Sequence, residues 1–376
     1  LNVESMRLIN FRNYKNISLK FHKNINIFIG KNAQGKTNLM EAIYMCAIGR
    51  SFRTNKDKEI INFEKNEAYI GANVSLGDYK KFFEIKMERN KPKRIRVNKT
   101  ELASYKELNT GLNVVIFTPE DLKIVKGGPQ ERRNFIDSGV SQIKPVYSYN
   151  INKYKKLLYQ RNNLLKSSRF RKDINNLLEV FDLQIAKIGT SIILERDKYL
   201  QKLSDLASFN HTKITDQLEN LNLKYMTNVP ILENKGDMEK AYLELMKKNL
   251  KKDLEFGTTE IGPHRDDIIM MINNKDARIY GSQGQQRTTV LSIILSELEL
   301  IKRERGMYPV LLLDDVFSEL DGSRRKYLTD FFNHMQVFIT VTDGEDLKSM
   351  ENLNKTIYYI ENGNLKLENS YDSSYR

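Results

Sequence analysis

The hydrophobic positions change period several times along the chain, and each change marks an element. Residues Glu4 to Tyr14 alternate loosely and Ile17-Ser18-Leu19-Lys20-Phe21 alternates cleanly, a short β-meander leading into the strand Asn24-Ile25-Asn26-Ile27-Phe28-Ile29, which alternates again. From Asn38 to Ile48 the apolar spacing becomes helical. Strand-like runs follow at Tyr69–Leu76, Lys81–Glu88 and Arg94–Val97, with Gly77-Asp78 as a turn, and they suit an antiparallel sheet better than crossovers. Leu112–Phe117 is a continuous apolar strand closed by Thr118-Pro119. After Gly127-Gly128 the period is helical from Pro129 to about Phe209. Pro145–Ser167 and Ile174–Leu206, separated by the polar stretch 169–173, predict a helical hairpin about 35 to 50 Å long at 1.5 Å per residue. That is too short for a coiled-coil arm. Leu221–Met226 reads as a strand, Met238–Lys251 as a helix and Ile268–Ile272 as a strand. Tyr280–Arg287 is a glycine-containing turn before an amphipathic helix, Thr288–Arg303. A buried strand then runs from Pro309 into Asp314-Asp315, and Gln336–Val341 is another.

Between the strand ending at Ile29 and the helix beginning at Asn38, Gly30-Lys31-Asn32-Ala33-Gln34-Gly35-Lys36-Thr37 fits the phosphate-cradling template G-x-x-x-x-G-K-S/T without a mismatch. Glycine at both ends lets the backbone curl tightly enough to aim successive N–H groups at phosphate oxygens. Lys36 then reaches the β- and γ-phosphates, Thr37 offers a hydroxyl to Mg²⁺, and the helix start adds its positive dipole end. The apolar run ending in two acids completes such a site. Asp314 is the metal-side carboxylate, and Asp315 is free to orient or deprotonate the water attacking the γ-phosphate. Ser282-Gln283-Gly284-Gln285, ahead of a helix, repeats the logic of glycine, hydroxyl and helix N-terminus. Two phosphate-grade sites in one chain suggest composite sites that a partner subunit closes.

Composition narrows the setting. The chain has 376 residues, 40% of them apolar, with no run long enough to span a membrane. Its first dozen residues lack a signal peptide's apolar core, so the protein is expected to stay in the cytosol. The lone cysteine, Cys46, falls on the apolar side of a helix and reads as a buried structural thiol. With only four scattered histidines besides, a structural zinc site is excluded. The net charge of +13 points to a polyanion as partner. Residues 123–173 hold 13 Lys/Arg against 3 Asp/Glu, and 79–99 hold nine against Glu84 and Glu88, so the positive charge is concentrated in two segments. Lys153, Lys155, Lys156 and Arg161, on the first long helix, are the candidate contacts to that polyanion.

The motif set, in its order, resembles the ABC ATPases. Gly30–Thr37 looks like Walker A, Ser282-Gln283-Gly284-Gln285-Gln286 like the signature, Val310–Asp315 like Walker B and Ser318-Glu319-Leu320-Asp321 like the D-loop. Asn10–Tyr14, Phe117–Leu122, Gly128-Pro129-x-x-Arg132-Arg133-x-Phe135-x-Asp137, Gly262-Pro263-His264-Arg265-Asp266 and Leu313–Asp321 narrow the resemblance to the RecF family of bacterial recombination mediators, over essentially the whole chain. The resemblance implies an α/β ABC-type P-loop ATPase head, a mixed sheet plus an antiparallel β-subdomain, with a helical second lobe and a short helical hairpin. It relates the chain to SMC and Rad50 heads without their long arm. The corresponding division is 1–122 for the first ATPase part, 123–254 for the helical lobe and 255–376 for the C-terminal part of the ATPase.

The resemblance further implies an ATP-dependent homodimer that sandwiches two ATP molecules, with Mg²⁺ held by Thr37 and Asp314. Gly30, Lys31, Asn32, Ala33, Gln34, Gly35, Lys36 and Thr37 of one chain and Ser282, Gly284 and Gln285 of the other would bind each nucleotide. It implies a weak, DNA-stimulated ATPase with Lys36 and Asp315 as catalytic residues, binding gapped DNA and single-strand/duplex junctions. Such a protein works with RecO and RecR to load RecA and supports replication and SOS induction. Two positions depart from the wider ABC pattern: Asp315 stands where many have Glu, and Val341-Thr342-Asp343 has no histidine; the glutamine loop is expected near Pro119-Glu120-Asp121, its glutamine unassigned. The residues leave two other readings open, a nucleotide-switched DNA-binding scaffold with negligible hydrolysis and a P-loop small-molecule kinase with no use for Ser282.

Overall fold

The computed structural model describes residues 1–103, 111–167, 174–342 and 353–368; the expected separator 169–173 and Asp343 lie outside them. The chain forms two compact units, Leu1–Asp121 with Glu297 onward, and Leu122–Ser296. Residues 255–296, grouped by the sequence with the C-terminal part of the ATPase, thus pack within the second unit.

In the first unit β1 (Asn2–Phe11) and β2 (Tyr14–Lys20) form the antiparallel hairpin that their alternation predicts. The meander ends there, ahead of the loop strand. β3 (Ile25–Ile29) joins a different sheet, because all five of its residues are buried, as in a parallel strand covered on both faces. Asn26 imitates a solvent-facing position in the sequence. Inside the fold it is satisfied locally, accepting from the His22 N–H at 2.7 Å and donating to the His22 carbonyl at 2.8 Å. The helix α1 (Lys36–Ile48) is buried from Leu39 through Ala47, its apolar residues packed all round and its one charge in that stretch, Glu41, paired with Arg12 at 2.6 Å. Cys46 lies in that run, and burial pushes its thiol up to about 12, which leaves it inert. β4 (Glu67–Leu76), β5 (Tyr79–Glu88), β6 (Lys91–Val97) and the short β7 (Thr100–Glu101) extend the hairpin into an antiparallel sheet ordered β2-β1-β4-β5-β6-β7. β8 (Val114–Phe117) closes this part.

The second unit is led by helices: α2 (Lys123–Lys126), α3 (Pro129–Ile143), α4 (Pro145–Lys166) and α5 (Ile174–Ile214). At 41 residues α5 is about 60 Å long, beyond the predicted range. Its last turns were hidden by polar residues that are buried: Asn210 donates to Ser296 Oγ at 2.9 Å, and His211 meets Ser292 Oγ at 3.1 Å. α4 and α5 run antiparallel, with Tyr147 beside Arg196 at one end and Arg161 beside Asp182 at the other. β9 (Leu221–Met226), α6 (Lys235–Phe256), β10 (Asp267–Ile272) and β11 (Lys275–Asp276) follow, the strands forming a sheet ordered β11-β10-β9. After α7 (Ala277–Tyr280), α8 (Gln283–Arg305) begins five residues before the expected start at Thr288, because Ser282 caps it.

The rest of the first unit is β12 (Val310–Asp314), α9 (Gly322–Asp330), β13 (Val337–Val341), β14 (Lys355–Glu361) and β15 (Asn364–Glu368). The mixed sheet has the order β15-β14-β3-β13-β12-β8, with β15 antiparallel and its other strands parallel. Phe28, Phe338 and Tyr358 of this sheet share one apolar core with Leu39 and Ile43 of α1 and with Ile70 and Phe83 of the antiparallel sheet. No helix among the described residues is long and apolar enough to cross a membrane.

Candidate functional site

Parallel strands deliver their C-terminal ends to one edge of the sheet, where open α/β sheets bind ligands. β3 ends there in Ile29, directly before Gly30, β12 in Asp314 and β13 in Val341. The loop between β3 and α1 needs glycine at both places the template demands. A Cβ on Gly30 would lie 2.5 Å from the Ile360 carbonyl oxygen. Gly35 adopts φ +120°, and a Cβ there would meet the Asn13 amide at 2.7 Å and the Tyr14 hydroxyl at 2.8 Å. Asn13 and Tyr14 brace the loop from the β1–β2 hairpin. Asn13 Nδ2 donates to the Gln34 carbonyl at 2.8 Å, Tyr14 donates to the Gly35 carbonyl at 2.9 Å, and Asn38 Nδ2 donates to Asn13 Oδ1 at 2.8 Å. Gln34 Oε1 accepts from the Asn362 N–H at 2.6 Å. Lys31, Asn32 and Ala33 form the exposed crest of the loop, with Ala33 in the left-handed region.

Lys36 is buried, donates from Nζ to the Gly30 carbonyl at 2.7 Å and lies 3.7 Å from Asp315 Oδ1. Thr37 donates to Asp314 Oδ1 at 3.0 Å. Burial pushes the Asp314 carboxyl above its usual range, and hydrogen bonds from Thr340 and Thr37 oppose the shift. A desolvated carboxylate sharing a hydroxyl at the foot of a phosphate cradle fits Mg²⁺, which takes few protein oxygens and completes its shell with water and phosphate. The residues predicted for phosphate, metal and water in this unit are therefore brought together: Gly30, Gly35, Lys36, Thr37, Asp314 and Asp315. Asp315 holds φ +53°, uncommon for a residue with a side chain.

The sequence reading missed what holds Asp315. Thr340, fully buried on β13, donates to Asp314 Oδ1 at 2.9 Å, and its Oγ1 accepts the Asp315 N–H at 2.8 Å. Its only signal was a hydroxyl in an otherwise apolar strand. The Asn10–Tyr14 stretch belonged to the family pattern without a role, and its place behind the loop supplies one.

In the second unit Ser282 is exposed at the start of α8. Its N–H donates to Gln285 Oε1 at 2.8 Å, and its Oγ accepts the Gln285 N–H at 3.2 Å. On α4 Lys153, Lys155 and Lys156 are exposed, whereas Arg161 is not. The assignment of Arg161 to DNA is corrected here. Its side chain is fully buried, donating to Asp182 Oδ1 and Asp253 Oδ2, each at 2.6 Å, and to Thr259 Oγ1 at 2.8 Å. The basic excess of 79–99 is also largely answered by neighbours outside that window: Lys80 pairs with Glu4, Lys86 with Glu67, Lys93 with Asp57 and Arg96 with Glu101.

The two further motifs of the family pattern meet in this unit. Arg132 pairs with Asp267, and Arg133 donates to the Asp266 carbonyl at 2.7 Å. Buried Arg196 joins Asp137 and Asp266. His264 bonds the Tyr154 hydroxyl at 2.7 Å and the Thr259 carbonyl at 2.8 Å, and burial pushes its imidazole down to about 4. These residues interlock helices and strands.

Residues 2–365 match the family model described as the RecF/RecN/SMC N terminal domain. The DNA replication and repair protein RecF of Alkaliphilus oremlandii is 46% identical over 365 residues, covering 96% of this chain and 99% of that protein. The chain belongs to the RecF family. A solved structure of the recombination mediator protein RecF with ATP, of the RecFOR pathway, superposes with a TM-score of 0.91 at 36% identity, covering 98% of this chain and 97% of that one. An SMC head bound to the C-terminal winged-helix domain of ScpA shares the fold, with a TM-score of 0.56 at 16% identity. The RecF fold here is thus the ABC-type ATPase head expected from the motif order.

Proposed function

We propose that this RecF-family protein binds ATP with Mg²⁺ and, in the ATP-bound form, closes as a homodimer on gapped or single-strand/duplex junction DNA, acting in recombinational gap repair with RecO and RecR. The observation that carries this reading is the meeting of Lys36, Thr37, Asp314 and Asp315 at the C-terminal edge of the parallel strands. The RecF structure solved with ATP and the names of the curated relatives support it.

Each residue then has a task. The loop N–H groups and Lys36 bind the phosphates, and Thr37 and Asp314 would hold Mg²⁺, which neutralises charge on the β- and γ-phosphates when bound. Asp315, set by Thr340, orients the attacking water. Its short side chain, and the lack of a histidine after β13, suit slow hydrolysis that DNA stimulates. Ser282, Gly284 and Gln285 of a second chain complete the phosphate shell. The sizing experiment is direct: with saturating ATP and Mg²⁺ the wild type elutes as a dimer, and Ser282→Arg binds ATP but stays monomeric. A wild type that remains a monomer would sink the sandwich.

DNA phosphates meet the exposed face of α4. This helix of 22 residues contains no Asp or Glu, and Lys153, Lys155 and Lys156 are exposed on it. Reversing the three lysines to Glu is expected to lower DNA affinity at least about tenfold at low salt, and to flatten the slope of log affinity against log salt by roughly two to three. Titrations at several salt concentrations decide it. An unchanged slope assigns the DNA to another surface.

A further inference from the structure

The start of α8 is tied to a side chain that the functional reading leaves unused. Ser282 and Gln285 form a capping box, each satisfying the other's backbone N–H. A capping glutamine needs only its carbonyl oxygen for this. Here its amide nitrogen is used too, donating to Glu219 Oε1 at 2.8 Å. The other carboxylate oxygen, Oε2, faces His211 Nε2 at 3.1 Å, and the fully buried His211 ring reaches Ser292 Oγ through Nδ1 at 3.1 Å. A carboxylate only accepts, so Nε2 of His211 carries a hydrogen whether the ring is neutral or charged. For the same reason the Gln285 amide has one orientation, nitrogen toward Glu219 and oxygen toward Ser282.

Glu219 is itself held. It follows a turn in which Asp216 and Gln217 both adopt the left-handed region, at φ 48° and 64°. The turn is closed by bonds from the Gln217 N–H to the Thr212 carbonyl at 2.8 Å and from the Leu218 N–H to the Thr215 carbonyl at 2.9 Å. The next residue, Asn220, donates its N–H to Asn273 Oδ1 at 2.9 Å. We infer that Glu219 is a positioning residue for the phosphate-binding start of α8, fixing Gln285 so that the exposed Ser282 hydroxyl keeps its hydrogen for a phosphate oxygen of the nucleotide on a second chain. The inference rests on the two-chain sandwich proposed above. Its physical content is pre-organisation: a start already ordered loses less freedom when the second chain's nucleotide arrives.

The test compares Glu219→Ala with Glu219→Gln in the full chain. Glutamine retains the bridge, because its oxygen accepts from Gln285 while its amide donates to His211 Nε2, the ring proton moving to Nδ1 to face Ser292. Glu219→Ala is expected to weaken ATP-driven dimerisation about tenfold, to leave ATP binding by the monomer unchanged, and to speed amide hydrogen exchange at 282–286. Glu219→Gln is expected within about twofold of wild type in all three. Wild-type exchange at 282–286 in Glu219→Ala overturns the inference, as does a loss that glutamine does not rescue. If the wild type fails to dimerise, the sandwich reading falls, and the exchange measurement alone still decides the role of Glu219.

Discussion

Lys36→Ala is expected to lose nucleotide binding by about a hundredfold or more, and with it every ATP-driven dimer. Its Nζ is buried between a loop carbonyl at 2.7 Å and the Asp315 carboxylate at 3.7 Å, with its charge delivered to the loop proposed to curl around the phosphates. Charge-assisted hydrogen bonds contribute about 1.5–3 kcal/mol each, and two such bonds to phosphate oxygens multiply to that factor or beyond. The fold should tolerate the change. Asp315 is more than a third exposed, so losing its cationic neighbour leaves no buried charge, and the loop is braced from behind by Asn13, Tyr14 and Asn38. Isothermal titration with ATP and Mg²⁺, alongside thermal unfolding, checks both halves. Binding within about threefold of wild type would remove Lys36 from the phosphate site.

The proposed phosphate site was legible because local chemistry dictates it. A loop that wraps phosphates needs Gly30 and Gly35 whatever surrounds it, and a buried parallel strand ending in acid announces Asp314. What escaped depends on neighbours distant in sequence. Thr340 and Asp314 stand on adjacent strands 26 residues apart, and Glu219 meets Gln285 across 66. No periodicity reports such pairs. The fold shows the same division. The β1–β2 hairpin, the antiparallel sheet and the strand before the glycine loop followed from alternation, whereas the full burial of β3 did not, because a satisfied buried asparagine imitates a solvent-facing position. The end of α5 was cut short because Asn210 and His211 look like a polar terminus while each is buried against a serine of α8.

Arg161 is the sharpest case, and removing it is expected to unfold rather than to unbind. From the sequence it is one more cation on a basic helix. In the structure it is fully buried and paired with two carboxylates. Arg161→Ala deletes the cation and leaves Asp182 and Asp253 facing each other inside the unit, the situation that costs about 3–5 kcal/mol. For a unit of this size that corresponds to a fall in melting temperature of roughly 10–15 °C. The loss should also depend on pH in a definite direction. Burial already raises the Asp253 carboxyl above its ordinary value, with Arg161 opposing that rise. Without the arginine its folded pKa climbs further above the unfolded one, so the folded variant binds more protons than the unfolded chain in mildly acidic solution. Its stability relative to wild type is then worst near neutral pH and recovers as pH falls through that raised pKa. A deficit that stays constant from pH 7 to 5 would mean that packing, not stranded charge, sets the cost. At a temperature where the variant is folded its DNA affinity should keep the wild-type salt slope, unlike the lysine reversals on the exposed face of α4. A slope flattened by about one would return Arg161 to the DNA contacts.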